Sequence, residues 1–312
     1  MSESYSIANP NNFTSESGYS GKIKGTDREI YDQSVKSFTA GFSRVFSSII
    51  PDLKPKTKIT KRGNLNASRL YRYKYDARIF SKRIDEHKDF DLTFVFLLDV
   101  SGSMSCRSKV PAGFLSRLDA AKAVMKSLII ASRKQLSDKV KVEVLTKSCP
   151  EQSINDFGNP VFLARQFSTD VKSLKDDVID NIGYSCPIKT SEGRGMSSST
   201  PEMLCGKGVI DFIKNNVVTK NVIVFNLTDG EAWCGANNNY EGWRGNWGNT
   251  ENKTLLKKYF SQVPFVSVLI GYGNEIDDDI LEMYPNPVMC SDYNFPKKLE
   301  NVVKKVVKSL TE

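Results

Sequence analysis

Residues 92–103 read Leu-Thr-Phe-Val-Phe-Leu-Leu-Asp-Val-Ser-Gly-Ser. Leu92 to Leu98 is an almost unbroken apolar run of strand length, the pattern of a strand covered on both faces in a parallel sheet. Asp99, Ser101 and Ser103 follow within five residues, and Gly102 permits a tight turn between the two serines. One carboxylate and two hydroxyls thus leave the end of a buried strand. In open α/β sheets ligands bind beyond the carboxyl ends of the strands. Hard oxygen donors of this kind suit Mg²⁺, or alternatively Mn²⁺ or Ca²⁺.

Outward from this stretch the pattern alternates. Helices are expected over 114–136, 170–182, 201–215, 252–261, 276–283 and 295–310, and strands over 139–146, 221–227, 265–270 and 287–289. Alternation of this kind implies an α/β fold: a doubly wound, mainly parallel sheet flanked by helices, spanning residues 91–312. Residues 1–25 are polar and aperiodic and are expected to be a flexible tail. Residues 26–90 form a basic extension. In it Thr26 and Glu29 make a capping box, and Ile30, Val35, Phe38, Phe42, Val45, Phe46 and Ile49 give a helix stripe that Pro51 is expected to end. A basic linker is expected at 51–66, and Tyr71, Tyr73 and Tyr75, alternating with Arg72 and Lys74, read as strand-like.

Two further loops add oxygen donors. Thr228-Asp229-Gly230 follows the apolar run 221–227, and Thr200-Pro201 opens the helix expected at 201–215, since proline suits a first helical turn. Asp-x-Ser-x-Ser after an apolar strand, a threonine before a middle helix and Asp-Gly after a later strand together resemble the metal-ion-dependent adhesion site of von Willebrand factor A (VWA) domains. The resemblance implies a VWA/Rossmann-like fold and a cation shell of Asp99, Ser101, Ser103, Thr200 and Asp229. In that family the hydroxyls typically bind the ion directly, the aspartates bind directly or through water, and a partner's acidic group completes the octahedron.

Within VWA domains, the stretch Asn64 to Leu70, Phe80, the strand ending Leu97-Leu98-Asp99 and Lys141 to Leu145 look like the C-terminal half of the CobT subunit of aerobic cobaltochelatase and its phage-encoded relatives. That likeness covers roughly residues 60–150 and the strand before Asp229. It implies a subunit without chemistry of its own, paired with a MoxR-like AAA+ ATPase, and, as an alternative role, a part in cobalt or magnesium chelation. A basic N-terminal region stands here where the cellular subunit has a long acidic one.

Residues 232–250 hold all three tryptophans of the chain, Trp233, Trp243 and Trp247, with Tyr240 and Arg244 among them. These residue types dominate binding hot spots. The loop follows the strand that delivers Asp229, so it is expected to form part of a partner-binding surface. A loop folded over its own aromatics is the alternative.

Composition narrows the function classes. The chain is 312 residues with 39% hydrophobic and 26% charged residues, and no apolar run approaches the ~18 residues of a membrane span. No secretory signal pattern is visible, so the expected location is cytoplasmic, or the host cytoplasm for a phage-encoded chain. The six cysteines form no CxxC pair, and the single histidine, His87, argues against His-dependent nucleophilic catalysis. Residues 1–90 carry 17 Lys/Arg against 10 Asp/Glu, nearly all of the net charge of +8. A basic arm suggests an acidic partner, and aromatics interleaved with basic residues in 51–90 suggest nucleic acid as one candidate.

Overall fold

The computed structural model describes residues 23, 25–53, 56–62, 64–75, 78–84, 91–136, 140–147, 149–150, 163–183, 197–199, 202–230, 254, 257–271, 283–291 and 294–311. Helix α1 (Gly25–Leu53) is followed by three short strands, β1 (Lys56–Thr60), β2 (Asn64–Leu65) and β3 (Phe80–Ile84). Then come β4 (Leu92–Asp99), the strands β5 (Arg107–Val110) and β6 (Gly113–Ser116), helix α2 (Arg117–Gln135) and β7 (Val140–Lys147). The short strand β8 (Cys149–Pro150), β9 (Leu163–Asp170), α3 (Asp176–Asp180), β10 (Ser197–Ser199), α4 (Glu202–Asn216) and β11 (Asn221–Thr228) lead to β12 (Phe265–Leu269), β13 (Pro287–Met289) and α5 (Phe295–Thr311).

The main sheet has six strands in the order β13-β12-β11-β4-β7-β9. All pair in parallel except β9, which runs antiparallel to β7 at the edge. Every residue of β4 is buried, as its unbroken apolar run requires for a central strand covered on both sides. Alternate side chains of β4 and β11 serve two cores. Phe94, Phe96, Ile223 and Phe225 pack with α1, α2 and α5, whereas Val95, Leu97, Val222 and Val224 pack with α4 and Phe260. Helices therefore cover both faces of the sheet. Among the described residues no helix is long and apolar enough to cross a membrane.

Helix α1 is built into the first core. Tyr31, Phe38, Phe42, Val45 and Phe46 are buried, Phe46 stacks on Phe94 of β4 with centroids 6.0 Å apart, and Phe38 meets Phe295 of α5 edge-on at 5.0 Å. A polar cluster fastens the N-terminal end of the same helix. The Asp180 carboxylate accepts from Lys126 Nζ at 2.8 Å on both oxygens, from Tyr31 Oη at 2.8 Å and from Arg28 Nη1 at 3.0 Å. Burial acts to raise the Asp180 pKa, but the hydrogen bonds from Lys126 and Tyr31, with the charges of Lys126 and Arg28, together outweigh it and hold the carboxyl below its ordinary range. Lys122, fully buried beside it, donates to the backbone carbonyls of Asp180 and Ile182 and pairs with Asp119 at 2.9 Å. Burial pulls its ammonium below the usual lysine value, against the opposing pull of Asp119.

Several local expectations are corrected. Tyr71, Tyr73 and Tyr75 are not on a strand: residues 67–72 form a 3₁₀ helix and 73–75 a turn, because the backbone that pairs here is Phe80–Ile84, between β1 and β2. The linker expected at 51–66 contains β1 and β2. α1 runs two residues past Pro51, so the cost of the proline, a lost N–H bond and a ring clash with the carbonyl four residues back, falls on the last turn alone. α2 begins at Arg117 rather than near 114, since residues 107–116 pair as an antiparallel hairpin. Helix occupies only 176–180 of the 170–182 segment, with strand β9 before it. The expected 1–25 tail lies outside the described residues except for Ile23 and Gly25, as does the 276–283 helix except for Met283.

Candidate functional site

β4 and β11 are neighbours, paired from Leu92–Asn221 to Leu98–Leu227. Their carboxyl ends therefore release Asp99 and Asp229 side by side. Both residues are fully buried, and Ser101 is buried as well.

The Asp99 carboxylate is held at both oxygens. The Ser101 backbone N–H donates to Oδ1 at 2.9 Å and the Thr228 hydroxyl donates to Oδ2 at 2.9 Å. The first bond closes an Asx turn that starts the Asp99–Ser103 loop. The second links the two strand ends directly. A carboxylate oxygen accepts through two lone pairs, so these bonds orient Asp99 without exhausting it. Ser101 Oγ and Ser103 Oγ are hydrogen-bonded to each other at 3.0 Å. Mg²⁺ binds oxygen at about 2.0–2.1 Å in an octahedron, whose adjacent ligands are then about 3.0 Å apart. Two hydroxyls at that separation, beside an oriented carboxylate, fit adjacent vertices of such a shell. The donor set thus fits a hard divalent cation.

Asp229 is positioned differently. The backbone turns immediately after it through Gly230, whose φ of 80° suits glycine and whose N–H donates to Thr228 Oγ1 at 3.2 Å. Its Oδ2 accepts from Arg117 Nη1 at 2.8 Å, with side-chain exposures of 0% for the aspartate and 11% for the arginine. Arg117 is the first residue of α2, directly after the cap Ser116, which accepts from the Asp119 N–H at 3.0 Å. A cation in the first helical turn opposes the helix dipole; its buried partner Asp229 offsets that cost. Gly271, with φ of 121°, makes room for it: a Cβ there would stand 2.2 Å from Arg117 Nε.

Of the residues expected to hold a cation, the structure brings together Asp99, Ser101 and Ser103 in one loop and Asp229 on the adjoining strand end. Thr200 lies outside the described residues, immediately after β10 and two residues before α4 begins. The tryptophan loop, with Trp233, Tyr240, Trp243, Arg244 and Trp247, also lies outside them. Among the described residues no cluster of three His, Cys, Asp or Glu side chains is suited to a metal. Cys106, Cys205 and Cys290 are free thiols, and burial raises the Cys290 pKa to about 12.

Three residues of the site were missed from sequence: Arg117, Thr228 and Gly271. The box Ser116-x-x-Asp119 was a legible signal for a helix start at Arg117, but apolar Phe114 and Leu115 just upstream extended the helical pattern past it. Thr228 ends an apolar strand and carried no motif weight. Gly271 is meaningful only through Arg117, far away in the chain.

No protein-family model matches the chain, and no curated protein matches it. Among solved structures it is similar to the pilus adhesin SpaC from Lactobacillus rhamnosus GG in its open conformation, at 12% identity and a TM-score of 0.46, over 73% of this chain and 31% of that one. A second structure of the same adhesin gives 12% identity and a TM-score of 0.45, over 73% and 32%. The chain spans about a third of that adhesin's length.

Proposed function

We propose that the chain is a VWA-type module that binds a protein partner through a divalent cation, Mg²⁺ by preference, held at the ends of β4 and β11. The observation that carries this reading is the oriented Asp99 carboxylate beside the Ser101 and Ser103 hydroxyls, 3.0 Å apart. Asp99, Ser101 and Ser103 would hold the ion, with Thr200 as a further hydroxyl donor. Asp229, tied to Arg117 through Oδ2, would act on the ion directly or through water. When bound, the ion supplies an electrophilic position for an acidic side chain of the partner. Thr228 keeps Asp99 oriented, and Arg117 would hold Asp229 in place at the end of β11. A MoxR-like AAA+ ATPase is the partner that the sequence resemblance favours, with the tryptophan loop as the adjoining contact surface.

The test is Mn²⁺ titration followed by electron paramagnetic resonance, then capture of a MoxR-like ATPase from the same genome in Mg²⁺ and in EDTA. One bound Mn²⁺ is expected, lost in Asp99→Ala and in Ser101→Ala/Ser103→Ala, with capture abolished by EDTA. A wild-type chain that takes up no cation overturns the proposal. Capture undiminished in EDTA overturns its cation-dependent part.

A further inference from the structure

We infer that residues 56–84 form a binding site for single-stranded nucleic acid, separate from the β4–β11 site. The segment is a small antiparallel sheet of order β1-β3-β2, with the 67–72 helix and the 73–75 turn inserted between β2 and β3. It contains ten lysines and arginines and a single acidic residue, Asp76, a net charge of +9. The whole chain carries +8, so this short segment holds the entire positive excess and the rest of the protein is close to neutral.

The same segment concentrates exposed aromatic surface. Tyr71, Tyr73 and Tyr75 are 69%, 64% and 90% exposed, and the neighbouring Leu65 and Leu70 are about half exposed. Among the described residues these five make up most of the large hydrophobic side chains left open to solvent. Lys74 stands between two of the tyrosines, and Lys61 and Arg62 occupy the β1–β2 turn, all three exposed. Exposed apolar groups gathered in one place mark an interaction site. Here the rings are interleaved with cations. Tyrosine rings stack on bases whose faces are bare, and lysine and arginine neutralise the phosphates between them. A duplex hides its base faces, and an acidic peptide satisfies the charges but offers nothing to the rings. A single strand matches both features.

The experiment is fluorescence anisotropy of a labelled oligothymidylate of about 20 nucleotides with the full chain, at 50 and 200 mM salt. With about five phosphates neutralised, affinity is expected to fall roughly 100-fold between the two salt concentrations. Tyr71→Ala/Tyr73→Ala/Tyr75→Ala is expected to weaken binding at least about tenfold with the salt dependence retained, since stacking carries no counterion release. Lys61→Gln/Arg62→Gln/Lys74→Gln is expected to flatten the salt dependence instead, by about 0.7 per contact in the logarithmic slope. Because all six side chains lie at the surface, unchanged thermal unfolding and Mn²⁺ uptake serve as the folding controls. No binding at 50 mM salt overturns the inference. So does duplex binding as tight as single-strand binding, or polyglutamate binding that equals oligonucleotide binding and ignores the tyrosine substitutions. None of these outcomes bears on the cation site.

Discussion

Replacing Arg117 with methionine probes the pairing at the candidate site most directly. The guanidinium donates to Asp229 at 2.8 Å, and both side chains are almost wholly out of water, at 11% and 0% exposure. Removing one partner of such a pair leaves a buried charge without compensation, which costs about 3–5 kcal/mol. With an m value of about 3 kcal/mol per molar urea for a chain of this size, the unfolding midpoint in EDTA should fall by roughly 1–1.7 M. If a cation binds next to Asp229, it supplies the missing positive charge. At a concentration a hundredfold above its dissociation constant, it should return about 2.7 kcal/mol. Magnesium should therefore stabilise Arg117→Met more than wild type, because in wild type the arginine already neutralises the aspartate. Arg117→Met/Asp229→Asn should recover most of the loss in EDTA, since exchanging both members of a buried pair is close to neutral. The assay is urea unfolding followed by tryptophan fluorescence and circular dichroism, with and without Mg²⁺. A midpoint shift under about 0.3 M, or magnesium stabilising wild type and variant equally, would refute the electrostatic account of the site.

Gly271→Ala should act on the same pair from the far side. Its φ of 121° disfavours any side chain, at a cost of about 1–3 kcal/mol, and its Cβ would collide with Arg117; retention of wild-type stability would show that the arginine does not run beneath it. Asp180→Ala should cost about 3 kcal/mol by stranding Lys126, and Lys126→Met/Asp180→Ala should cost less than the sum of the single changes; additive losses in chemical unfolding would contradict the pairing. The Asp180 carboxyl titrates below its ordinary value, so its contribution is complete above about pH 4 and is lost as pH falls through the lower, folded value. The stability difference between wild type and Asp180→Asn should accordingly shrink on acidification below pH 4, and a difference that grows there would reverse the assigned sign.

Much of the sheet was written locally. Leu92–Leu98 and Asn221–Leu227 are apolar at consecutive positions, and only a strand covered on both sides can bury both of its faces, so their place at the centre of a parallel sheet follows from the sequence alone. The oxygen donors Asp99, Ser101, Ser103 and Asp229 were legible for the same reason, because they stand where those runs stop. Strand β9, Leu-Ala-Arg-Gln-Phe-Ser-Thr-Asp, mixes polar and apolar residues as an edge strand can, and carried no comparable signal. The tyrosines at 71, 73 and 75 show the opposite failure: their period-two alternation looks like a strand, but a strand exists only where a neighbour pairs with it, and the neighbours pair with Phe80–Ile84 instead.

What the tertiary structure alone decided are the contacts between charges far apart in sequence. Arg117 meets Asp229 across 112 positions and Lys126 meets Asp180 across 54. Strand propensity and hydrophobic period describe how each segment buries its own apolar face. They hold no information about which buried cation meets which buried carboxylate. That choice is made when α2 is laid across the sheet, and burial then makes each pairing costly to break, because a charge taken out of water must find its counter-charge within the protein.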